Sequence, residues 1–274
     1  MMPTNTVICG DAFSVLRTLP GESINMCCTS PPYFSLRDYG VDGQLGLEPT
    51  YTEYIIKLCN VFDEVKRVLK PDGTLWANMG DSYSGSSGGR PSPFQAKARR
   101  YNYNFPKPPH TDIPKKSLCL IPFRFAIEMV RRGWILRNVL IWKKPNALPE
   151  SVTDRFTVDF EYLFFFAKSR FYYFEQQREP AVYAKGLRNR RSILEVNTRP
   201  LADNHFAAYP EELVEMPIKA GCPLDGVVLD PFLGSGTTAL AAEKLGRKWL
   251  GIELNPAYCD MANSRLRAVD TAEL

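Results

Sequence analysis

The chain has 274 residues, 45% hydrophobic and 23% charged, with a formal net charge of +4. These values suit one large α/β domain or two small ones and exclude a collagen-like or wholly disordered chain. No apolar run reaches the roughly 18–20 residues of a membrane span; the longest, Tyr162-Leu-Phe-Phe-Phe-Ala167, has strand length. The start, Met1-Met-Pro-Thr-Asn-Thr-Val-Ile-Cys9, has no basic segment leading into a long apolar one. No secretory signal is read there, and the expected compartment is the cytoplasm.

Elements are predicted along the chain from hydrophobic periodicity and turn residues. Thr6–Cys9 is a short strand, followed by Gly10-Asp11 and a helical pattern through Phe13, Leu16 and Leu19. Ser23–Cys28 is a buried strand that ends at Thr29-Ser-Pro-Pro-Tyr33. Tyr51–Lys70 is the clearest helix: Ile55, Leu58, Phe62, Val65 and Leu69 form one stripe, and Thr50 with Glu53 makes a capping box. Pro71-Asp-Gly73 stops it, and Thr74–Asn78 is the next strand. Leu120–Arg132 is a helix; Trp134–Trp142, Tyr162–Ala167 and Phe171–Phe174 are strands, the last two paired as a hairpin. Tyr209–Ala220 is helical, Gly226–Asp230 a strand, Thr237–Leu245 a helix, Lys248–Glu253 a strand and Pro256–Ala268 a final helix. This alternation predicts a mostly parallel, doubly wound α/β sheet.

Seven cysteines lie at scattered positions with no Cys-x-x-Cys pair, which argues against a zinc ribbon or a disulfide framework. Two histidines, His110 and His205, are too few for a histidine-based metal centre, and no metal is expected. Charge is unevenly spread. Residues 84–118 carry seven basic residues and one acidic, and residues 165–200 carry eight and three. Two basic stretches in an otherwise mildly acidic chain suit a polyanionic partner, against the plainer reading of two solvated loops. The first opens on Ser84-Gly-Ser-Ser-Gly-Gly-Arg-Pro-Ser-Pro93, which disfavours regular structure.

Two motifs carry chemistry. In Val227-Val-Leu-Asp-Pro-Phe-Leu-Gly-Ser-Gly-Thr-Thr238 an apolar strand ends in an acid, then a glycine-rich turn, then a helix. Such a turn lets backbone approach a ligand and offers unpaired N–H groups at a helix start. It lacks the Gly-Lys-Ser/Thr of a P-loop and the third glycine of a dinucleotide fold. Glu253 ends the next strand 19 residues after Gly234, where an acid can take the hydroxyls of a ribose. The unit reads as a nucleoside-binding half-domain, or as a tight turn without a ligand. In Thr29-Ser-Pro-Pro-Tyr33 two prolines stiffen a corner at the carboxyl end of a strand. A hydroxyl and a fixed carbonyl there can accept from an amino group, and Tyr33 can stack on a flat ring; the plainer reading is a stiff loop.

Together, Ser30-Pro-Pro-Tyr33 and Asp230-Pro-Phe-Leu-Gly-Ser-Gly236 resemble the S-adenosylmethionine-dependent DNA amino-methyltransferases. The order, corner first and glycine turn last, is similar to their β class. Further matches are Gly10-Asp11, Arg37-Asp-Tyr39, Arg67–Gly73, Trp142–Asn146, Pro149–Arg155, Tyr172–Phe174 and His205–Pro210. The resemblance implies a seven-stranded, Rossmann-like methyltransferase sheet with circularly permuted motif order. It also implies one catalytic domain over 1–274, with 84–117 and 175–200 as DNA-contacting insertions. By resemblance, Asp230, Phe232, Gly234, Ser235, Gly236 and Thr237 cradle S-adenosylmethionine, Glu253 holds its ribose, Asn255 belongs to the same cofactor site, and Asp11 contacts its adenine. Thr29, His205 and Phe206 complete the cofactor site, the segment from His205 packing against the methionine end. Ser30, Pro31, Pro32 and Tyr33 form the catalytic corner.

The mechanism expected is direct transfer to a neutral amine of an extruded base held by Ser30 and the Pro31 carbonyl and stacked on Tyr33. Cytosine C5 chemistry is excluded, because in that family the nucleophilic cysteine follows a proline and none here does. Serine at the first corner position favours cytosine N4 over adenine N6. A non-catalytic DNA-binding protein of the same fold, and transfer to RNA or a small amine, are the rival readings. Lys97, Arg99, Arg100, Arg188, Arg190 and Arg191 are the expected phosphate contacts on duplex DNA. Tyr101, Tyr103 and Phe105 pack their loop or fill the gap left by the base. The resemblance leaves a homodimer and a cognate restriction endonuclease as open partners, and implies no membrane.

Overall fold

Alternate residues of the central strands enter two separate cores, so both faces of the sheet must be covered. The computed structural model describes residues 2–85, 112–181, 185–198 and 209–270. In chain order the elements are β1 (Thr6–Cys9), α1 (Ala12–Thr18), β2 (Ile24–Thr29), α2 (Tyr51–Val68) and β3 (Leu69–Met79). Then come α3 (Ile121–Arg131), β4 (Ile135–Lys143), β5 (Phe160–Ala167), β6 (Arg178–Pro180), β7 (Leu187–Asn189) and β8 (Ile193–Glu195). The chain closes with α4 (Glu211–Gly221), β9 (Val227–Asp230), α5 (Thr237–Lys244), β10 (Lys248–Glu253) and α6 (Pro256–Asp270).

The main sheet has the order β1-β10-β9-β2-β3-β5-β4-β8, and β5 alone runs against the rest. Cys27, Leu229, Leu75 and Phe164 face α1, α2 and α3. Met26, Cys28, Val228, Trp76 and Phe165 face α4, α5 and α6. Strands buried on both faces read as continuous apolar runs, which is why Ser23–Cys28 and Gly226–Leu229 are legible in the sequence. The order reverses between β9 and β2, which are direct neighbours: Met26 pairs with Val228 and Cys27 with Leu229. Open α/β sheets bind ligands at such a reversal, beyond the carboxyl ends of the strands.

Several local expectations change. Phe171–Phe174 is not a strand, and β5 forms no hairpin with it. Both edges of β5 are already taken by β3 and β4, so the segment leaves the sheet. Its backbone instead bonds outward, Tyr173 N to Asp72 O and Glu175 N to Ala220 O, while Phe174 stacks on Phe165. The sheet carries eight strands rather than seven, because Ile193–Glu195 of the second basic segment pairs with β4. The same segment forms a separate hairpin, β6 with β7. Helix α2 starts as expected, with the Thr50 hydroxyl accepting from Glu53 N at 3.2 Å. It passes directly into β3, and Lys70–Gly73 bulges out between the pairs Ile24–Leu69 and Met26–Thr74.

The start of α3 is capped from a distance. Leu120 is left-handed at φ 56° and offers no side-chain cap. Asp81, just beyond β3, accepts from Leu120 N at 2.9 Å and Ile121 N at 3.1 Å. Burial pushes its carboxyl pKa up, and the backbone donors oppose this. Asp81→Ala is expected to cost about 1–2 kcal/mol, the size of a lost helix cap, in denaturant unfolding.

Candidate active site

Pairing of β2 with β9 puts Thr29 beside Asp230, two residues 201 positions apart. The Thr29 hydroxyl donates to Asp230 Oδ1 at 2.6 Å. The Asp230 carboxylate is 2% exposed and takes three more donors. Phe232 N donates to Oδ1 at 3.0 Å, and the Thr238 hydroxyl at 2.5 Å and the Tyr209 hydroxyl at 3.2 Å donate to Oδ2. Burial raises its pKa, and the bonds from Thr238, Thr29, Phe232 and Tyr209 pull it back. One carboxylate thus fixes the end of β2, the turn after β9, the first turn of α5 and the segment before α4.

The glycine turn requires a conformation that only glycine adopts without strain. Gly236 caps α5 at φ 89°, and a Cβ there would lie 3.2 Å from Ala262 Cβ. Glu253, at the end of β10, holds this turn from its other side. Its Oε2 accepts from Gly234 N and its Oε1 from Asn255 N, each at 2.8 Å. Burial pushes its pKa above the usual carboxylate value, against the backbone donors Asn255, Gly234 and Leu254.

Beyond these strand ends opens a cavity of about 400 Å³. Ser30 and Pro32 of the corner line it, with Asp11, Phe232, Gly234, Ser235, Thr237, Glu253 and Asn255. The two motifs therefore share one space. Thr29, Pro31, Tyr33, Asp230 and Gly236 are not on its wall. Thr29 and Asp230 are the bracing behind it. Asp11 also caps α1, its Oδ1 accepting from Ser14 N at 2.8 Å. His205, Phe206, Lys97, Arg99 and Arg100, with Tyr101, Tyr103 and Phe105, lie outside the described residues. Arg188 is paired with Glu179 at 2.9 Å across the β6–β7 hairpin, whereas Arg190 and Arg191 are exposed beyond it.

The corner is fixed from several sides. The Tyr54 hydroxyl of α2 donates to Pro32 O at 2.7 Å. The Tyr33 hydroxyl donates to Glu161 Oε2 at 2.6 Å and lies 3.1 Å from Asn78 Oδ1. The Ser30 hydroxyl reaches the Tyr33 hydroxyl at 3.4 Å. Cys27 and Cys28, beneath the corner, are buried thiols pushed well above their usual pKa by burial and by the Asp230 carboxylate. They are held as neutral packing groups.

Tyr39 and Tyr209 fall in segments that the resemblance covers and Thr238 closes the glycine-turn motif, though the sequence gives none of them an individual role; sequence reasoning missed Asn78, Glu161 and the cavity wall from Gly43–Leu45. Only Glu161 carries a local signal: it is a lone acid beside an apolar strand run. The others are ordinary residues whose roles arise from neighbours far away in sequence.

A family model described as DNA methylase matches residues 24–264. The chain belongs to this family of S-adenosylmethionine-dependent amino-methyltransferases. The type II methyltransferase M.Cfr9I of Citrobacter freundii is 45% identical over 268 residues, covering 97% of this chain and 89% of its own. M.SmaI of Serratia marcescens is 42% identical over 264 residues, covering 95% and 90%. Among solved structures, the PvuII DNA methyltransferase, titled cytosine-N4-specific, aligns over 96% of this chain and 86% of its own. Its TM-score is 0.68 at 22% identity, a likeness of fold. The TTHA0409 protein of Thermus thermophilus, solved in complex with S-adenosyl-L-methionine, aligns over 95% and 94% with TM-score 0.64 and 25% identity.

In this methyltransferase Gly236→Ala meets both a left-handed backbone and Ala262. It is expected to lose about 1–2 kcal/mol of stability in thermal unfolding.

Proposed function

We propose that this methyltransferase transfers a methyl group from S-adenosylmethionine to the exocyclic N4 amine of a cytosine extruded from duplex DNA. The observation that carries the reading is the shared cavity: Ser30 and Pro32 on one wall, the glycine turn and Glu253 on another. The wall has what the cofactor needs. Glu253 offers a carboxylate for ribose hydroxyls, Asp11 an acceptor for an adenine amine, and Phe13, Phe232 and Leu254 apolar contact for a flat ring. When bound, the cofactor supplies an electrophilic methyl group on a sulfonium.

The chain's own residues supply position and acceptors. The Ser30 hydroxyl and the Pro31 carbonyl accept from the two N–H bonds of the target amine. That turns the nitrogen lone pair out of conjugation and toward the cofactor. No base need act first, since the amine is neutral, and the proton leaves after transfer. Taking a cytosine out of its stack costs a few kcal/mol; Tyr33, which is next to Pro32 of the wall, is assigned to offset part of it by stacking. Support for cytosine over adenine comes from Ser30, the residue type found at this place in the cytosine-N4 subgroup that the sequence resembles. Arg190 and Arg191, with Lys97, Arg99 and Arg100, are assigned to the phosphates. Arg188 is assigned to holding the hairpin that presents them.

Ser30→Ala is expected to lower kcat by about a hundredfold while cofactor Kd moves less than about twofold. Tritiated cofactor and plasmid DNA give the rate. Mass spectrometry of the digested product reads N4-methylcytosine against N6-methyladenine; the adenine product would overturn the base assignment. A collapse of cofactor binding with intact turnover would overturn the role of Ser30.

Glu253 generates a pH prediction. A raised pKa means that it takes up a proton at higher pH than an ordinary carboxylate. Only the ionised form accepts from both ribose hydroxyls. Cofactor Kd is therefore expected to rise as pH falls through that raised pKa, and Glu253→Gln should bind weakly with a flat profile. Folding behaves oppositely: a raised acid favours the protonated native state, so this group destabilises less as pH falls. Calorimetric titration of the cofactor across pH checks the first, and denaturant melts check the second.

A further inference from the structure

Beside the corner, two charged residues sit where an apolar pair would pack with less loss of solvation. Glu161 belongs to β5 and Lys144 follows β4 directly. Their side chains are 17% and 18% exposed and form an ion pair, Lys144 Nζ to Glu161 Oε1. Lys144 Nζ also lies 4.4 Å from the Trp142 ring centre. Taking two charges out of water costs several kcal/mol, and replacing such a pair by apolar residues is often neutral or stabilising. The pair is thus weak evidence for stability, and its further contacts point to a second role. The remaining carboxylate oxygen, Oε2, accepts a hydrogen bond from the Tyr33 hydroxyl at 2.6 Å.

That bond sets a direction. A phenol has one proton, and the short bond to an ionised carboxylate claims it. The Tyr33 oxygen is then only an acceptor toward Ser30, whose hydroxyl donates to it at 3.4 Å. A Ser30 hydroxyl aimed at that oxygen keeps its lone pairs for the cavity it lines. Asn78 Oδ1, 3.1 Å from the Tyr33 hydroxyl, is a second and more distant acceptor, its Nδ2 being used on Tyr162 O. The ring is held at its edge as well: a Cβ at Gly80 would lie 2.8 Å from Tyr33 Cε2.

We infer that Glu161, fixed by Lys144, is a positioning residue for methyl transfer: it locks the Tyr33 ring and makes Ser30 an acceptor for the target amine. The inference rests on the reading of the corner as the amine site. Neither residue lines the cofactor cavity, so the assignment predicts a loss in the transfer step alone.

The test compares the enzyme with three variants and one combination of them. Glu161→Leu with Lys144→Met removes the pair without leaving an orphan charge; Glu161→Gln keeps the shape and removes the charge; Tyr33→Phe removes the hydroxyl alone. Single-turnover methylation of plasmid DNA is expected to slow at least about tenfold in the double variant and in Tyr33→Phe. Glu161→Gln is expected to slow less, and cofactor Kd to stay within about twofold throughout. Adding the double change to Tyr33→Phe should cause no further loss, because the pair acts through that hydroxyl. A wild-type rate in Tyr33→Phe or in Glu161→Gln with the double variant, or losses that multiply in the Tyr33→Phe background, would overturn the inference. A wild-type enzyme that methylates no DNA would instead overturn the functional reading, and this inference with it.

Discussion

The bond from Thr29 to the buried Asp230 carboxylate organises the molecule's working end. It spans two strands that are neighbours in the sheet and distant in sequence. A buried carboxylate is destabilising unless its lone pairs are used, and four donors from four different segments use them. Each donor is also a constraint. The corner after β2, the turn after β9, the start of α5 and Tyr209 can adopt only arrangements that keep Asp230 satisfied. Any other arrangement of this bracing leaves a buried carboxyl group short of donors.

A division of labour follows between wall and scaffold. Glu253, Ser30 and the glycine turn face the cavity. Asp230, Thr29 and Glu161 stand behind and hold them. Both groups contain carboxylates, and burial raises the pKa of both Asp230 and Glu253. What separates their roles is enclosure. Asp230 accepts four hydrogen bonds and is enclosed by them, whereas Glu253 accepts only from backbone N–H groups and borders the cavity. A carboxylate with remaining acceptor capacity at a cavity wall is free to take a ligand; one that is saturated is not.

The chemistry assigned to the corner needs little from acids or bases and much from geometry. A neutral amine attacking a sulfonium methyl gains from being turned and held, and that is what a proline-stiffened corner offers. Two neighbouring thiols add nothing reactive, since burial keeps them protonated. Among the described residues no helix is long and apolar enough to cross a membrane.

The order of strands and helices, the two motifs and their likeness to the amino-methyltransferases were legible from residue types alone. Prolines, glycines and apolar periodicity act locally, and a local constraint is written in adjacent positions. Strand partners were not legible in the same way. Phe171–Phe174 has strand composition, yet both edges of β5 were already occupied, a fact that belongs to β3 and β4. The roles of Tyr209, Asn78 and Glu161 were decided only when the chain closed on itself. Hydrogen bonds to Asp230 and Tyr33 join residues 21, 45 and 128 positions apart, and no spacing rule in a sequence reports such distances. Local sterics fixed the pieces; satisfaction of buried polar atoms, which only the folded chain can achieve, chose how they meet.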